Sequence, residues 1–290
     1  MPELPEVETM VRGLRPAMTD CVVRRLNVLD EHLLQGCTAE GIERRGSGAR
    51  VVSVSRRGKW VVIAMDADRG IIVIQPRMTG GFWLVPPESP QHVRLRFDMD
   101  GAGRQIWFSD TRRLGKISLY DTLSDAESAF AKSHGPDATE IGRNELAARL
   151  KRTTRSIKPT LMDQKVLAGI GNIYADESLF QARIHPERPA NRLGADEVTR
   201  LHRAIGHVLA EAIEAEGSSF DAGYRTVLGL EGGFLSQNAM YGRGGQPCPE
   251  CQTSIVKTKI AGLIGRPTHF CPRCQPKGRS RPKKGPGVPG

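Results

Sequence analysis

Lys165-Val-Leu-Ala-Gly169-Ile-Gly171-Asn172-Ile-Tyr174-Ala-Asp-Glu-Ser-Leu-Phe180 divides the chain into a strand-rich part before it and a helical part after it. Two glycines one residue apart make a tight turn, and the apolar spacing that follows predicts a helix over 172–181. Exposed backbone N–H groups at such a start can hold a phosphate, with the Asn172 amide as a further donor; the plain alternative is a turn that only needs glycine's freedom. Towards the C-terminus, 144–152 predicts a shorter helix. Residues 196–216 predict a longer one, with Val198, Leu201, Ile205, Val208, Leu209, Ala212 and Ile213 on one stripe and Gly217 as its stop. Towards the N-terminus, His134-Gly-Pro-Asp-Ala138 reads as an interdomain linker. Before it lie β-branched runs at Val51–Val54, Trp60–Met65 and Ile71–Ile74. Val93, Leu95 and Phe97 alternate with Arg94, Arg96 and Asp98, and Asp100-Gly101 is a hairpin turn into 106–109. Many short strands over 22–120 with no helices between them predict a sandwich or an antiparallel barrel. Residues 5–18 form the exception, a helix with Val7, Met10, Val11, Leu14 and Met18 on one face and Glu3, Glu6 and Glu8 crowding its N-terminal end, where the dipole favours anions.

At 290 residues and 39% hydrophobic content, the chain has room for two ordinary domains with real cores. A net charge of +10 points to a polyanionic partner, nucleic acid first. No run of apolar residues is long enough to span a membrane, and the acidic N-terminus has no apolar signal core, so a cytoplasmic protein is expected. Residues 276–290 hold five Lys/Arg, half of the formal net charge, among Pro and Gly, and read as a disordered basic tail. Cys21 and Cys37 stand alone and read as buried thiols of no chemical role. Cys248-Pro-Glu-Cys251 and Cys271-Pro-Arg-Cys274 offer four thiolates to one tetrahedral zinc; disulfides or a redox pair are the alternative, and a reducing compartment fits zinc.

Removal of Met1 would make Pro2 the free end of the chain, a secondary amine that titrates well below a lysine. In its neutral form such an amine attacks a carbon at the aldehyde oxidation level and forms an iminium ion. Glu3 beside it is an acid or base. The plain alternative is that Pro2 only starts the helix. Lys59, in Arg56-Arg57-Gly58-Lys59-Trp60, reads either as part of a solvated basic edge or as a phosphate-binding or acid group.

Pro2-Glu-Leu-Pro-Glu-Val-Glu-Thr9, the string Gly169–Phe180 with Arg183-Ile-His-Pro186 downstream, Tyr241-Gly-Arg243 and the four-cysteine unit occur here in one order. Over about residues 2–275 the chain resembles the formamidopyrimidine-DNA glycosylase family of bifunctional DNA glycosylases and AP lyases. The resemblance implies an α+β multidomain protein. Its parts are an N-terminal β-sandwich with an N-terminal helix (2–135), a helix–two-turns–helix DNA-binding domain (136–237), a zinc-finger β-hairpin (238–275) and the tail (276–290). It implies a monomer acting on damaged double-stranded DNA, with one structural zinc and the damaged nucleotide flipped into a pocket. The expected substrates are oxidised purines. On the family pattern Pro2 is the nucleophile, Glu3 the acid that protonates the sugar ring oxygen, Lys59 the β-elimination lysine and Arg266 the phosphate-gripping arginine of δ-elimination. Met78 fills the gap left by the flipped base, Arg112 reads the widowed base, Arg113 and His92 contact phosphate, and Lys158 and Asn172 belong to the DNA-binding set. Leu114 stands where the family usually has a phenylalanine wedge, and Pro90-Gln-His92 where His-x-His is usual. The loop between the cysteine pairs is longer than usual, and the capping loop, 217–234, keeps Ser218-Ser219 but reads Gly232-Gly233-Phe234. The sister endonuclease VIII branch, acting on oxidised pyrimidines, and a non-catalytic zinc-dependent DNA-binding protein are the alternatives. Leu4-Pro5-Glu6-Val7 and Arg112-Arg113 disfavour the first, and Pro2, Glu3 and Lys59 the second.

Overall fold

The structure, a computed structural model, describes residues 2–101, 103–219 and 224–277, so most of the basic tail and the middle of the capping loop lie outside the described residues. Helix α1 (Leu4–Met18) carries the expected stripe: Val7, Met10, Val11, Leu14 and Met18 are all fully buried. Two antiparallel four-stranded sheets follow. One has the order β1 (Val23–Val28), β6 (Val93–Met99), β7 (Gln105–Asp110), β5 (Gly80–Trp83). The other has the order β2 (Val51–Arg57), β3 (Trp60–Met65), β4 (Ile71–Gln75), β8 (Lys116–Tyr120). Together with α1 they enclose one core, built on side chains such as Phe82, Leu95, Phe97 and Phe108. Strand β6 alternates buried and half-buried residues along its whole length, as a sheet with one covered face must. Strand β4 is apolar on both faces because helix α3 (Leu123–Ser133) covers the outer one, with Ala126 packed on Val62, Ile71 and Val73. Helices α3 and α2 (Ala39–Gly46) interrupt a region expected to be strands alone.

The helical part holds α4 (Arg143–Lys151), α5 (Ile157–Leu161), α6 (Asn172–Gln181) and α7 (Ala195–Glu214). On α7, Val198, Leu201, Ile205, Val208, Leu209 and Ala212 are buried, and Gly217 closes the end at φ +81° with its N–H on the Ala212 carbonyl. Leu4 belongs to this helical core while Val7 onward belongs to the sandwich core, so α1 joins the two. The segment 134–138 is no free linker. Ala138 N–H and Ala168 N–H bond the Ala168 and Pro136 carbonyls, both at 2.9 Å. Asp137, 1% exposed, accepts from Arg56 (2.6 Å) and from Gly58 N–H (2.8 Å). Burial alone would raise the Asp137 carboxyl; the Arg56 guanidinium, with Thr139, outweighs it and holds the group below the usual carboxylate range. This clasp fixes the strand end that carries Lys59. The zinc unit is a short hairpin, β9 (Val256–Thr258) against β10 (Thr268–Phe270). Cys21 and Cys37 are half-buried rather than buried, packed on the sandwich core from outside.

Candidate active site

Pro2, Lys59, Gln75, Arg77, Met78, Leu114, Met162, Gln164, Gly171 and Arg266 line one cavity of about 200 Å³ between the domains. The sandwich supplies one wall. Lys59 follows the left-handed Gly58, where a Cβ would press on Ala168 and Phe130. Its ammonium donates to the Ile170 carbonyl at 3.0 Å. Burial pushes the Lys59 ammonium below the ordinary lysine value, Arg266 and Arg77 add to this, and Glu3 and Glu6 oppose it. Met78 sits in the turn after β4. Asp110, fully buried, pins the next turn: its carboxylate accepts from Thr79 Oγ1, Arg112 N–H (3.3 Å) and Gly115 N–H (2.7 Å). Arg112 and Leu114 are thereby held exposed on a fixed backbone. Arg113, also exposed, forms a two-pronged pair with Asp30 at 2.6 and 2.8 Å.

The other wall belongs to α6 and the zinc hairpin. Glu3, 1% exposed, accepts from the Ile173 N–H at 3.1 Å, in the first turn of α6, while its Oε2 has no partner among the described residues. One anion at this helix start is therefore the protein's own carboxylate. The glycines serve that approach: a Cβ at Gly171 would lie 2.3 Å from the Glu3 carboxyl carbon, and Gly169, at φ +107°, lets Leu4 pack against it. Asn172 is 7% exposed, and its amide donates to the Pro267 carbonyl at 3.1 Å. Lys158, expected among the DNA-binding side chains, is fully buried; its charge meets Asp176 at 2.7 Å instead of solvent. Burial lowers its ammonium, with Asp176 opposing. His92 lies away from Pro2, in a separate groove of about 650 Å³ with Trp83 and Arg225.

Three acids, Glu6, Asp176 and Glu177, lie behind the site. Glu6, 1% exposed, accepts from Glu3 N–H, Ser218 N–H (both 2.8 Å) and the Tyr174 hydroxyl. Burial first, and Glu3 second, raise its carboxyl. It joins helix α1 to the start of the loop after Gly217. Asp176 and Glu177 on α6 grip the zinc unit, Glu177 by accepting from Ala239, Met240 and Tyr241 N–H at 2.7–3.0 Å.

The sulfurs of Cys248, Cys251, Cys271 and Cys274 lie within 4.8 Å of one another. Tetrahedral zinc with Zn–S of about 2.3 Å requires S···S of about 3.8 Å. The 3.4 and 3.9 Å separations of Cys251–Cys271 and Cys248–Cys274 fit, and these four cysteines form the zinc-binding site. Four sulfur ligands leave no open position, so the ion is structural. Among the described residues no helix is long and apolar enough to cross a membrane.

Three family profiles match in order: the formamidopyrimidine-DNA glycosylase N-terminal domain over residues 1–117, its H2TH domain over 133–222, and the zinc finger found in FPG and IleRS over 245–277. The formamidopyrimidine-DNA glycosylase of Chloroflexus aurantiacus is 38% identical over 279 residues, 95% of this chain and 98% of the relative. That of Thermus thermophilus is 39% identical over 282 residues, 96% and 100%. The crystal structure of MutM (FPG) from Thermus thermophilus superposes with a TM-score of 0.83 at 38% identity, covering 96% of this chain and all of that one. A Lactococcus lactis FPG mutant in complex with Fapy-dG-containing DNA gives 0.85 at 32% identity, covering 95% and 100%.

Proposed function

The chain belongs to the formamidopyrimidine-DNA glycosylase family, DNA glycosylases that remove damaged purines in base-excision repair, and from that premise we propose that it is a bifunctional glycosylase and AP lyase working through a Schiff base on Pro2. The observation that carries the reading is the convergence of Pro2, Lys59, Met78, Leu114 and Arg266 on one cavity, with the Glu3 carboxylate against its Gly171 wall. Freed by removal of Met1, the Pro2 nitrogen attacks the anomeric carbon of the flipped deoxyribose, the glycosidic bond breaks with its electrons leaving on the base, and the base takes up the proton that the nitrogen loses. Glu3, through its unpartnered oxygen, protonates the sugar ring oxygen; the ring opens and the nitrogen lone pair completes the iminium. The iminium acidifies the C2′ hydrogen. Its removal sends electrons to C3′–O and expels the 3′ phosphate; a second deprotonation expels the 5′ phosphate. Lys59, its ammonium lowered by burial, serves the first elimination, and Arg266 grips phosphate for the second. Water then releases Pro2.

DNA lies across the mouth of this cavity. Met78 fills the vacated stack, Arg112 reads the widowed base, Leu114 wedges beside it, and Arg113, His92 and Asn172 steady the backbone. Oxidised purines, 8-oxoguanine and formamidopyrimidines, are the substrates. The protein acts as a monomer in the cytoplasm, on the nucleoid.

Borohydride trapping on duplexes carrying single lesions tests this. The expected result is a covalent adduct with 8-oxoguanine and formamidopyrimidine duplexes that disappears in Pro2→Gly, with zinc and folding retained. Undiminished trapping with Met1 retained would rule out the N-terminal amine. Trapping confined to oxidised pyrimidines would move the enzyme to the sister branch.

A further inference from the structure

Arg266 reaches the cavity from the last residue before Pro267, and the Pro267 carbonyl is held by an unusually well-buried polar group. It accepts from Lys158 Nζ at 3.0 Å and from Asn172 Nδ2 at 3.1 Å. Lys158 in turn meets Asp176 Oδ1 at 2.7 Å. The other oxygen, Asp176 Oδ2, accepts the His269 N–H at 3.0 Å and faces His269 Nδ1 at 3.2 Å. The side chains of Lys158 and Asp176 are 0% exposed and that of His269 3%. Tyr241 caps the histidine edge-on, 5.3 Å between ring centroids. One carboxylate on α6 thus fixes the backbone at both 267 and 269, the two residues that decide where β10 starts and where Arg266 leaves it.

A buried ion pair is seldom a net source of stability, because taking two charges out of water costs about what their attraction returns. An apolar plug would join α5, α6 and β10 as well. What the pair supplies is direction: three polar links of fixed length to one turn of backbone. The opposite wall has its own buried anchors, Asp137 on Arg56 and the Gly58 N–H beside Lys59, and Asp110 on Thr79 beside Met78.

We propose that Asp176 is the positioning residue of Arg266, holding it through Lys158–Pro267 and through His269 so that it engages the second phosphate; this rests on the δ-elimination role given to Arg266 above. Lys158 acts here from behind the cavity wall. Loss of the device separates the two eliminations, because the first depends on Pro2 and Lys59 across the cavity.

The experiment compares Asp176→Asn, Asp176→Asn/Lys158→Met and Arg266→Ala with wild type on a duplex carrying one abasic site. It reads the ratio of δ- to β-elimination products, borohydride trapping yield, zinc content and melting temperature. In Asp176→Asn the product ratio is expected to fall about tenfold while trapping changes by less than about twofold, the size expected of a misplaced group rather than a lost fold. A general loss of stability would lower both products together. The double variant removes both buried charges, so it is expected to regain melting temperature and keep its zinc, yet its ratio stays low because Pro267 has lost a donor. A wild-type ratio in Asp176→Asn, or its return in the double variant together with stability, overturns the proposal while leaving the Arg266 role intact, provided Arg266→Ala lowers the ratio. A wild-type ratio in Arg266→Ala overturns both.

Discussion

The two walls of the active site are supported in opposite ways. Behind Lys59, Met78 and Leu114 stands the sandwich core, a large apolar cluster in which Phe82, Phe97 and Phe108 are almost fully buried. Behind Arg266 stand a cluster of six buried residues, three of them cysteines, the edge of the helical core through Ile260 and Leu263, and the buried charges of Asp176, Glu177 and Lys158. The first wall is held mainly by non-directional burial that grows with area, with Asp137 and Asp110 pinning the turns at Lys59 and Met78. The second has too little apolar area to fold alone and is held by a metal and by hydrogen bonds. Damage to the first wall should therefore follow lost volume, and damage to the second should follow zinc and pH.

Removing one metal ligand should separate the walls most sharply. Cys251→Ser is expected to lose zinc and to weaken DNA binding at least ~100-fold, because the hairpin carrying Arg266 cannot hold without the ion. The sandwich should still melt cooperatively. Metal analysis with a DNA-binding titration checks this, and zinc-free wild-type protein with full activity would refute it.

Gly171→Ala probes the seam where the walls meet. Its φ is −131°, open to any residue, and the nearest obstacle is the Glu3 carboxyl group within 2.6 Å of the new methyl. Displacing Glu3 from the Ile173 N–H should lower single-turnover base excision by about 10–100-fold, less than the roughly 10²–10⁴-fold worth of a positioned acid because the carboxyl group is shifted and not removed. Cleavage of a preformed abasic site, which needs no base departure, should suffer less. Equal losses on both substrates would mean the methyl deforms the cavity as a whole.

The pH signature belongs to the second wall. Burial pushes Glu177 up to about 7, against the three N–H groups that favour its ionised form. The folded state therefore holds this proton more firmly than the unfolded chain. The stability it contributes is full at low pH and lost as pH rises to about 7. Linkage puts the change at up to about 3 kcal/mol. Denaturant melts between pH 5.5 and 8, above the range where protons displace zinc from thiolates, should show stability falling with pH. Glu177→Gln should flatten that slope, and an unchanged slope would place the titrating group elsewhere.

The same contrast explains what could be read in advance. Apolar periodicity carried α1, β3, α6 and α7 to within a few residues, because their buried faces are written in their own sequence. Helix α3 was missed because only Ala126 and Phe130 of its eleven residues are buried, and α5 because five residues including Pro159 give no period. Pro2, Lys59, Met78, Leu114 and Arg266, placed by resemblance, do share a cavity. Asp137, Asp176 and Glu177 carry no local pattern that marks them as buried. Their burial is decided by elements tens of residues away, as in the bond from residue 269 to Asp176. The approach of Glu3 to the Ile173 N–H was invisible for the same reason, since nothing local ties residue 3 to residue 173.

The smallest effect is expected where neither wall provides support. Arg112 is exposed on the turn pinned by Asp110, and its neighbour Arg113 is already engaged with Asp30. If Arg112 hydrogen-bonds the widowed base, Arg112→Ala should remove discrimination between lesions opposite cytosine and opposite adenine. A bidentate contact to a base is worth about 1–3 kcal/mol, and an arginine with no buried partner to hold it straight belongs at the lower end. Excision opposite cytosine should therefore slow by about five- to tenfold, with little change opposite adenine. Were Arg112 only a phosphate contact, both pairings would weaken alike and the salt dependence of binding would drop by about one unit of slope. Leu114→Phe, two residues on, should change DNA bending and lesion search without altering which base is preferred. Single-turnover excision for both pairings at two salt concentrations separates these outcomes, and a uniform loss across pairings rejects the base-reading role.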